Sequence, residues 1–421
     1  MDTRVKVSTK GNMVEWFLPF FPLFLQYKLG VLSLGVLGLT VIAFIYLSKQ
    51  GIRLSFPRRL YGFVTFFIYV IVRDVVRIIV GMDSRTTQIH RMIEYIIMIF
   101  LMLIISYVRI DSDNLYQWYK IAGALYILGA VYHAVLIYLF HRTVTWITII
   151  PGYILREDTK NFGRPLSFFS EPAGIVLGLI FLLIFSLQRK DYIWAIITSV
   201  GMFISTSSVA VIITLAMWTL LVMDKEMSQR KKATIIVLFI GLIILFFNLN
   251  AFSESASKFM TVVGGGSTVG SRLRCGYEVV STMSPMELIF GTNYNEVMKY
   301  ITDRMELFPQ EGTALLYYNV AGDVFLNTWT NLIFKYGMIG MVLSYLPIIA
   351  LAKNVESKYI SICFILLSIG QSLLLNPAFF LYLTMMLITS NIGKDNKNKI
   401  AWKGGNEFFE ENRDYHISSL L

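Results

Sequence analysis

The sequence predicts an all-α, polytopic integral membrane protein of about twelve transmembrane helices, with one long extracytoplasmic loop between the ninth and tenth spans. Three observations predict it. The chain of 421 residues is 56% apolar and only 15% charged, with a mean hydropathy of +0.62, a balance that excludes a water-soluble globular domain. Apolar runs recur along the whole length, punctuated by short basic segments. Between Phe247 and Asn331, by contrast, about eighty residues are too polar to sit in lipid.

In chain order, Arg4, Lys6 and Lys10 precede the first apolar run, and no small-residue cleavage site follows it, so the start reads as a cytoplasmic tail and not a cleaved signal. Residues 14–26 contain Pro19 and Pro22 and predict a short, kinked crossing. Residues 31–47 are a clearer span and run into Lys49, Arg53, Arg58 and Arg59, a basic loop that stays in the cytoplasm. Alternation then sends 61–80 out, brings 93–108 back, and sends 121–140 out to a loop at 141–165. Residues 166–187 return to the basic QRKD.

Between Asp191 and Asp224 lie 32 residues flanked on both sides by cytoplasmic charge. A single straight helix of that length would reach about 48 Å and leave its ends on opposite faces, so an even number of crossings is needed. The expected solution is a helical hairpin turning at Ser205, Thr206, Ser207 and Ser208, tolerable at membrane depth only where protein or a water-filled cavity surrounds it. Span 233–247 then delivers the long segment, about 249–330, to the outer face; 333–351 returns, and 359–374 and 378–390 form a last pair turning at Asn376 and Pro377. The organisation is therefore a membrane domain over 1–392 and a polar cytoplasmic tail over 393–421, with both termini inside.

The net charge of +10 is explained by the lysines and arginines that fix orientation, without invoking nucleic acid. Cys275 and Cys363 fall in the polar segment and in an apolar run and meet only if the loop folds back on the bundle; neither a disulfide framework nor a metal site is suggested. A Walker-type phosphate loop, zinc-ligand spacing and a nucleophile elbow are all missing from the sequence, so no cofactor is expected.

The residues able to carry chemistry lie towards the outer face. NFGRPLSFFSEP places Arg164 seven residues before Glu171, with Pro165 suited to a first helical turn and Pro172 expected to kink or delay the helix. Glu171 then falls one to two turns below the surface, where it either pairs with Arg164 to orient the loop or serves as a general base. Arg272 and Arg274 follow Gly264 to Gly266, a stretch suited to a hinge, and their guanidinium geometry suits phosphate oxygens. Arg73 and Arg77 share one helical face and flank Asp74; they either form a structural ion pair, with His90 and Glu94 as further partners, or add positive potential for an anionic head group. His133 reads as a hydrogen-bonded core residue.

Three stretches resemble the bacterial O-antigen, capsule and exopolysaccharide polymerase family, which shares a polytopic superfamily with the O-antigen ligases. RPLSFFSEPAG (164–174) is similar to the family's Arg, paired-aromatic and Glu-Pro element. GSRLRCGYEVVSTMSPMELIFGTN (270–293) resembles its arginine-bearing external loop, and FLNTWTNLIFKYGMIGM (325–341) the segment that begins His-Asn in many members. The Ser-rich hairpin matches as well, and the order and spacing agree over nearly the whole chain. Here Leu326 stands before Asn327 where ligases carry histidine, which favours polymerase over ligase.

The resemblance implies a glycosyltransferase of the bacterial cytoplasmic (inner) membrane. It would transfer a growing glycan from undecaprenyl pyrophosphate to an incoming lipid-linked repeat, alongside a flippase and chain-length regulator of the same pathway. Glu171 and Arg164 would be catalytic, and Arg272, Arg274, Arg73, Arg77, Tyr277 and Asn327 would bind substrate. The alternatives are a ligase and a lipid-linked-oligosaccharide flippase. The latter class commonly shows two repeated halves, and no internal repeat is found here.

Overall fold

The computed structural model describes residues 12–29, 32–50, 60–80, 85–108, 110–150, 163–223, 227–248, 268–310, 312–321, 324–352 and 355–390. The glycines at 264–266 and the tail from 393 lie outside the described residues. The chain is mostly helical. Its helices are α1 Met13–Phe24, α2 Leu34–Gln50, α3 Tyr61–Val80, α4 Arg85–Tyr107, α5 Ser112–Tyr138, α6 Pro172–Gln188, α7 Tyr192–Ile204, α8 Ser208–Val222 and α9 Gln229–Asn248. The polar segment contributes α10 Thr268–Ser281, α11 Pro285–Phe290, α12 Val297–Asp303 and α13 Thr313–Ala321. Then follow α14 Thr328–Leu351, α15 Val355–Gly370 and α16 Pro377–Ser390. A two-residue antiparallel ladder pairs Lys28 with Ser33 and Leu29 with Leu32.

Three stretches, Ile89–Ser106, Ser112–Tyr138 and Thr328–Leu351, are long and apolar enough to cross a membrane, and several apolar helices are shorter. On α3, Ile68, Val72, Val75 and Ile79 are all exposed. Their three- and four-residue spacing makes a greasy stripe turned away from the core, the pattern of a helix facing lipid. The fold is therefore that of a membrane-associated helical protein. At its centre stand α6 and α16, apolar on every side and buried almost throughout. Phe181 and Phe364 both pack on Tyr382, at 5.0 and 5.7 Å between ring centroids.

The serine-rich turn is where the hydropathy places it. α7 ends at Ile204, α8 begins at Ser208, and Ser205, Thr206 and Ser207 between them are buried in protein. Several boundaries differ from the sequence reading. α4, α5 and α14 begin at Arg85, Ser112 and Thr328, not at 93, 121 and 333, because their polar first turns are helical without being apolar. The start of α6 differs in the other direction. The segment 164–170 is not helical, and Pro172 occupies the first helical position, where a missing N–H is harmless, with Glu171 as N-cap. Glu171 is thus exposed at the helix mouth and not one to two turns inside it.

The helices of the polar segment share a small core of their own, in which Cys275, Val279, Tyr300, Phe308 and Leu326 pack against Phe334 of α14. The segment does fold back, since α10 packs on both α14 and α15. Cys275 and Cys363 nevertheless remain free and buried, and burial pushes the Cys275 thiol up to about 11.

Candidate functional site

Two groups of cations hold this end of the molecule, and they are built differently. The first lies on α3. Arg73 Nη2 donates to the carbonyls of Gly291 and Thr292 at 2.9 and 3.3 Å. Arg77 Nε donates to the Thr292 carbonyl at 3.1 Å and its Nη1 to Asp74 at 2.6 Å. The Arg77 guanidinium also lies 4.8 Å from the centroid of the Tyr336 ring, and Tyr336 Oη in turn donates to Asp74. Tyr69 Oη donates to the carbonyls of Phe290 and Tyr336.

The carbonyls need these donors because Gly291 and Gly337 both have positive φ, 85° and 67°, and break their helices here. A Cβ on Gly337 would stand 2.1 Å from the Ile289 carbonyl, and one on Gly291 2.2 Å from that of Lys335. Only glycine allows the two backbones to approach so closely. Arg77 is 1% exposed. Through these bonds Arg73 and Arg77 fasten the polar segment to the bundle. Among the described residues neither bonds to His90 or Glu94.

The second group centres on Arg272. The arginines 272 and 274 lie on the helix α10, not in a loop, and two residues of an α-helix point about 200° apart. Gly276, one turn after Arg272, lets α10 lie against Thr330, whose Oγ1 would be 2.4 Å from an added Cβ. Arg272 therefore turns inward with Gly276, whereas Arg274 and Tyr277 are exposed, Tyr277 to 74%.

Arg272 Nη1 donates to the Gly370 carbonyl at 3.3 Å, at the C-terminus of α15, where the helix dipole favours a cation. Its guanidinium stands 5.7 Å from the centroid of Phe325, and its Nε is buried without a hydrogen-bond partner among the described residues. Burial lowers the Arg272 pKa, and the negative charge of Glu171, 101 residues away in sequence, pulls it back up. Arg272 thus feels the charge of Glu171, whereas Arg274 and Tyr277 turn the other way. Arg164 is half-buried at the far end of its segment.

The segment before Glu171 is held by donors and acceptors from α5 and from the turn after α1. His133 Nδ1 on α5 accepts the backbone N–H groups of Leu166 and Ser167, so that nitrogen carries no proton. Ser167, at φ 55°, donates its hydroxyl to the Tyr126 carbonyl. The Gln26 amide donates to the Phe168 carbonyl and accepts the Ser170 N–H. A strained residue fixed from both sides marks a backbone held for a purpose. His133 is the hydrogen-bonded core residue that the sequence indicates.

Asn327 is the N-cap of α14, its Oδ1 accepting from Thr330 N and Oγ1 at 2.8 and 2.9 Å. Thr328 ties the same turn to the Gln371 carbonyl. Beside it opens a cavity of about 310 Å³ lined by Arg91, Asn295, Glu296, Phe325, Asn331 and Lys335, among others. The sequence reading passed over Lys335 and Arg91. The available signal was Lys335 itself, an ionisable side chain in an otherwise apolar helix. Among the described residues no group of His, Cys, Asp and Glu could hold a metal ion. A scan against protein-family models finds no match, and searches of curated proteins and of solved structures find none either.

Proposed function

We propose that the protein is a polysaccharide polymerase of the bacterial cytoplasmic membrane, with about twelve spans, both termini inside, and α10 to α13 on the outer face. It would join lipid-pyrophosphate-linked oligosaccharides. The observation that carries this reading is that the inward-turned Arg272 lies within electrostatic reach of the Glu171 carboxylate at the mouth of α6.

In the reaction, an acceptor sugar hydroxyl attacks the anomeric carbon of the donor glycan. A new C–O bond forms, the bond from that carbon to the pyrophosphate oxygen breaks, and the electron pair leaves with the lipid pyrophosphate. The hydroxyl proton passes to the Glu171 carboxylate. Charge gathers on the departing pyrophosphate, and Arg272 with the N-terminal dipole of α6 is suited to stabilise it. Leu326, buried in the core of the polar segment, offers no imidazole at the ligase position.

The test is the purified chain in detergent with lipid-linked repeat units and no ion gradient. A ladder of products differing by one repeat supports polymerisation and excludes pure transport. Absence of new glycosidic bonds with repeat units from the producing cell would overturn the reading.

A further inference from the structure

We propose that the cavity beside α14 is a binding site for an anionic sugar residue, one bearing a single carboxylate as a uronic acid does. The inference rests on the polymerase reading for its biological meaning and on the cavity alone for its chemistry.

Four parts of the chain converge there. Lys335 comes from α14, Arg91 from the start of α4, Asn295 and Glu296 from the turn before α12, and Phe325 from the strap before Asn327. Lys335 and Arg91 bring two positive charges and Glu296 one negative. The Asp74 carboxylate, paired with Arg77, attracts Lys335 as well, without a contact ion pair between them. The lining therefore carries a net charge of about +1, which matches one carboxylate better than a pyrophosphate. Among the described residues neither Lys335 nor Arg91 forms an ion pair. Half-buried Lys335 and exposed Arg91, neither locked in a contact ion pair, give an anion two cations to meet.

The rest of the lining suits a sugar ring. Phe325 gives an apolar face of the kind on which pyranoses stack, and Asn331 and Asn295 give amide groups for hydroxyls. A volume of about 310 Å³ is at the lower end of small-ligand pockets. The Arg272 guanidinium stands 5.7 Å from the centroid of the same Phe325 ring, so a sugar seated here would neighbour the proposed pyrophosphate position.

Saturation-transfer NMR on the full chain in detergent tests this, with glucuronic acid, glucose and inorganic pyrophosphate as probes. Glucuronic acid should bind and glucose should not. Lys335→Gln should weaken glucuronic acid binding about tenfold, Arg91→Gln likewise, and Lys335→Arg should restore most of it. Arg91 is exposed, so its variant folds even if that of Lys335 does not. Equal binding of glucose, glucuronic acid binding indifferent to Arg91→Gln, or displacement of glucuronic acid by equimolar pyrophosphate would each overturn the assignment. Because no turnover is needed, a failed polymerisation assay leaves this measurement standing, and polymerisation without glucuronic acid binding removes only this proposal.

Discussion

The cations of α3 and the cation of α10 sit at the same end of the bundle and teach opposite lessons. Arg73 and Arg77 are met by carbonyls, a carboxylate and an aromatic ring of their own chain. Arg272 meets one carbonyl and one aromatic ring and feels a carboxylate exposed at a helix mouth. Arg73 Nε, Arg77 Nη2 and Arg272 Nε are each buried without a partner among the described residues, so the difference lies in the groups that are met: a cation gripped by carbonyls and a carboxylate inside the fold maintains architecture, and one beside an exposed carboxylate can act on something else. Mutations should separate the two by readout: stability for the first, turnover for the second.

The largest effect is expected at the closed junction. Asp74→Ala strips Arg77 of its anion while leaving it buried, and the guanidinium cannot escape by losing its proton. The expected loss is about 3–5 kcal/mol of stability, read as a lowered unfolding midpoint by circular dichroism in detergent. Asp74→Ala combined with Arg77→Met should recover a substantial part of it, since the charge is then gone as well. A midpoint unmoved by Asp74→Ala would mean that the junction is not what fastens the polar segment.

At the open group the effect should fall on rate. Glu171→Gln keeps the shape of the exposed carboxylate and removes its basicity, which should slow polymerisation about 10²- to 10⁴-fold. Arg272→Gln should slow it about 10²- to 10³-fold. Neither should shift the unfolding midpoint by more than a degree or two, as each makes few bonds within the fold. A variant that unfolds instead would move Arg272 into the company of Arg77 and dissolve the contrast.

The sequence disclosed these two groups unevenly. Hydropathy located the apolar helices and the buried turn at Ser205 to Ser207, because an apolar run flanked by charge admits few arrangements. It could not place the starts of α4, α5 and α14, whose polar first turns look like loop. Nor could it tell Arg272 from Arg274, since the choice depends on α10 being a helix laid against Thr330 at Gly276. The cavity was the least legible, because residues 91, 296 and 335 meet only through the return of the polar segment.

A smaller effect is expected within the polar segment, at Glu287. Arg304 grips its carboxylate through both nitrogens, at 2.6 and 2.9 Å. Partial burial pushes the Glu287 pKa up, but the bonds from Arg304 and Ser284 outweigh it and the net shift is downward. A carboxylate whose folded pKa is depressed contributes stability that is full above its unfolded value, about 4.3, and is lost as pH falls through the folded value. Melting should therefore drop between about pH 5 and pH 3. Glu287→Gln should flatten that drop, at a cost of about 1 kcal/mol at pH 7. An unchanged acid slope in the variant would place the sensitivity elsewhere.

The smallest effect sharpens the comparison most. Arg274 and Arg272 have the same chemistry and lie two residues apart, and only the rotation of α10 distinguishes them. Arg274→Ala should leave polymerisation within about twofold of the parent, since an exposed side chain on the far face touches neither Glu171 nor Gly370. The same holds for Tyr277→Ala. Paired with Arg272→Gln in one assay, these variants measure which face of α10 the reaction uses. If Arg274→Ala slows turnover as much as Arg272→Gln, the substrate must reach the outer face of α10 too. The site would then lie over the helix and not beneath it.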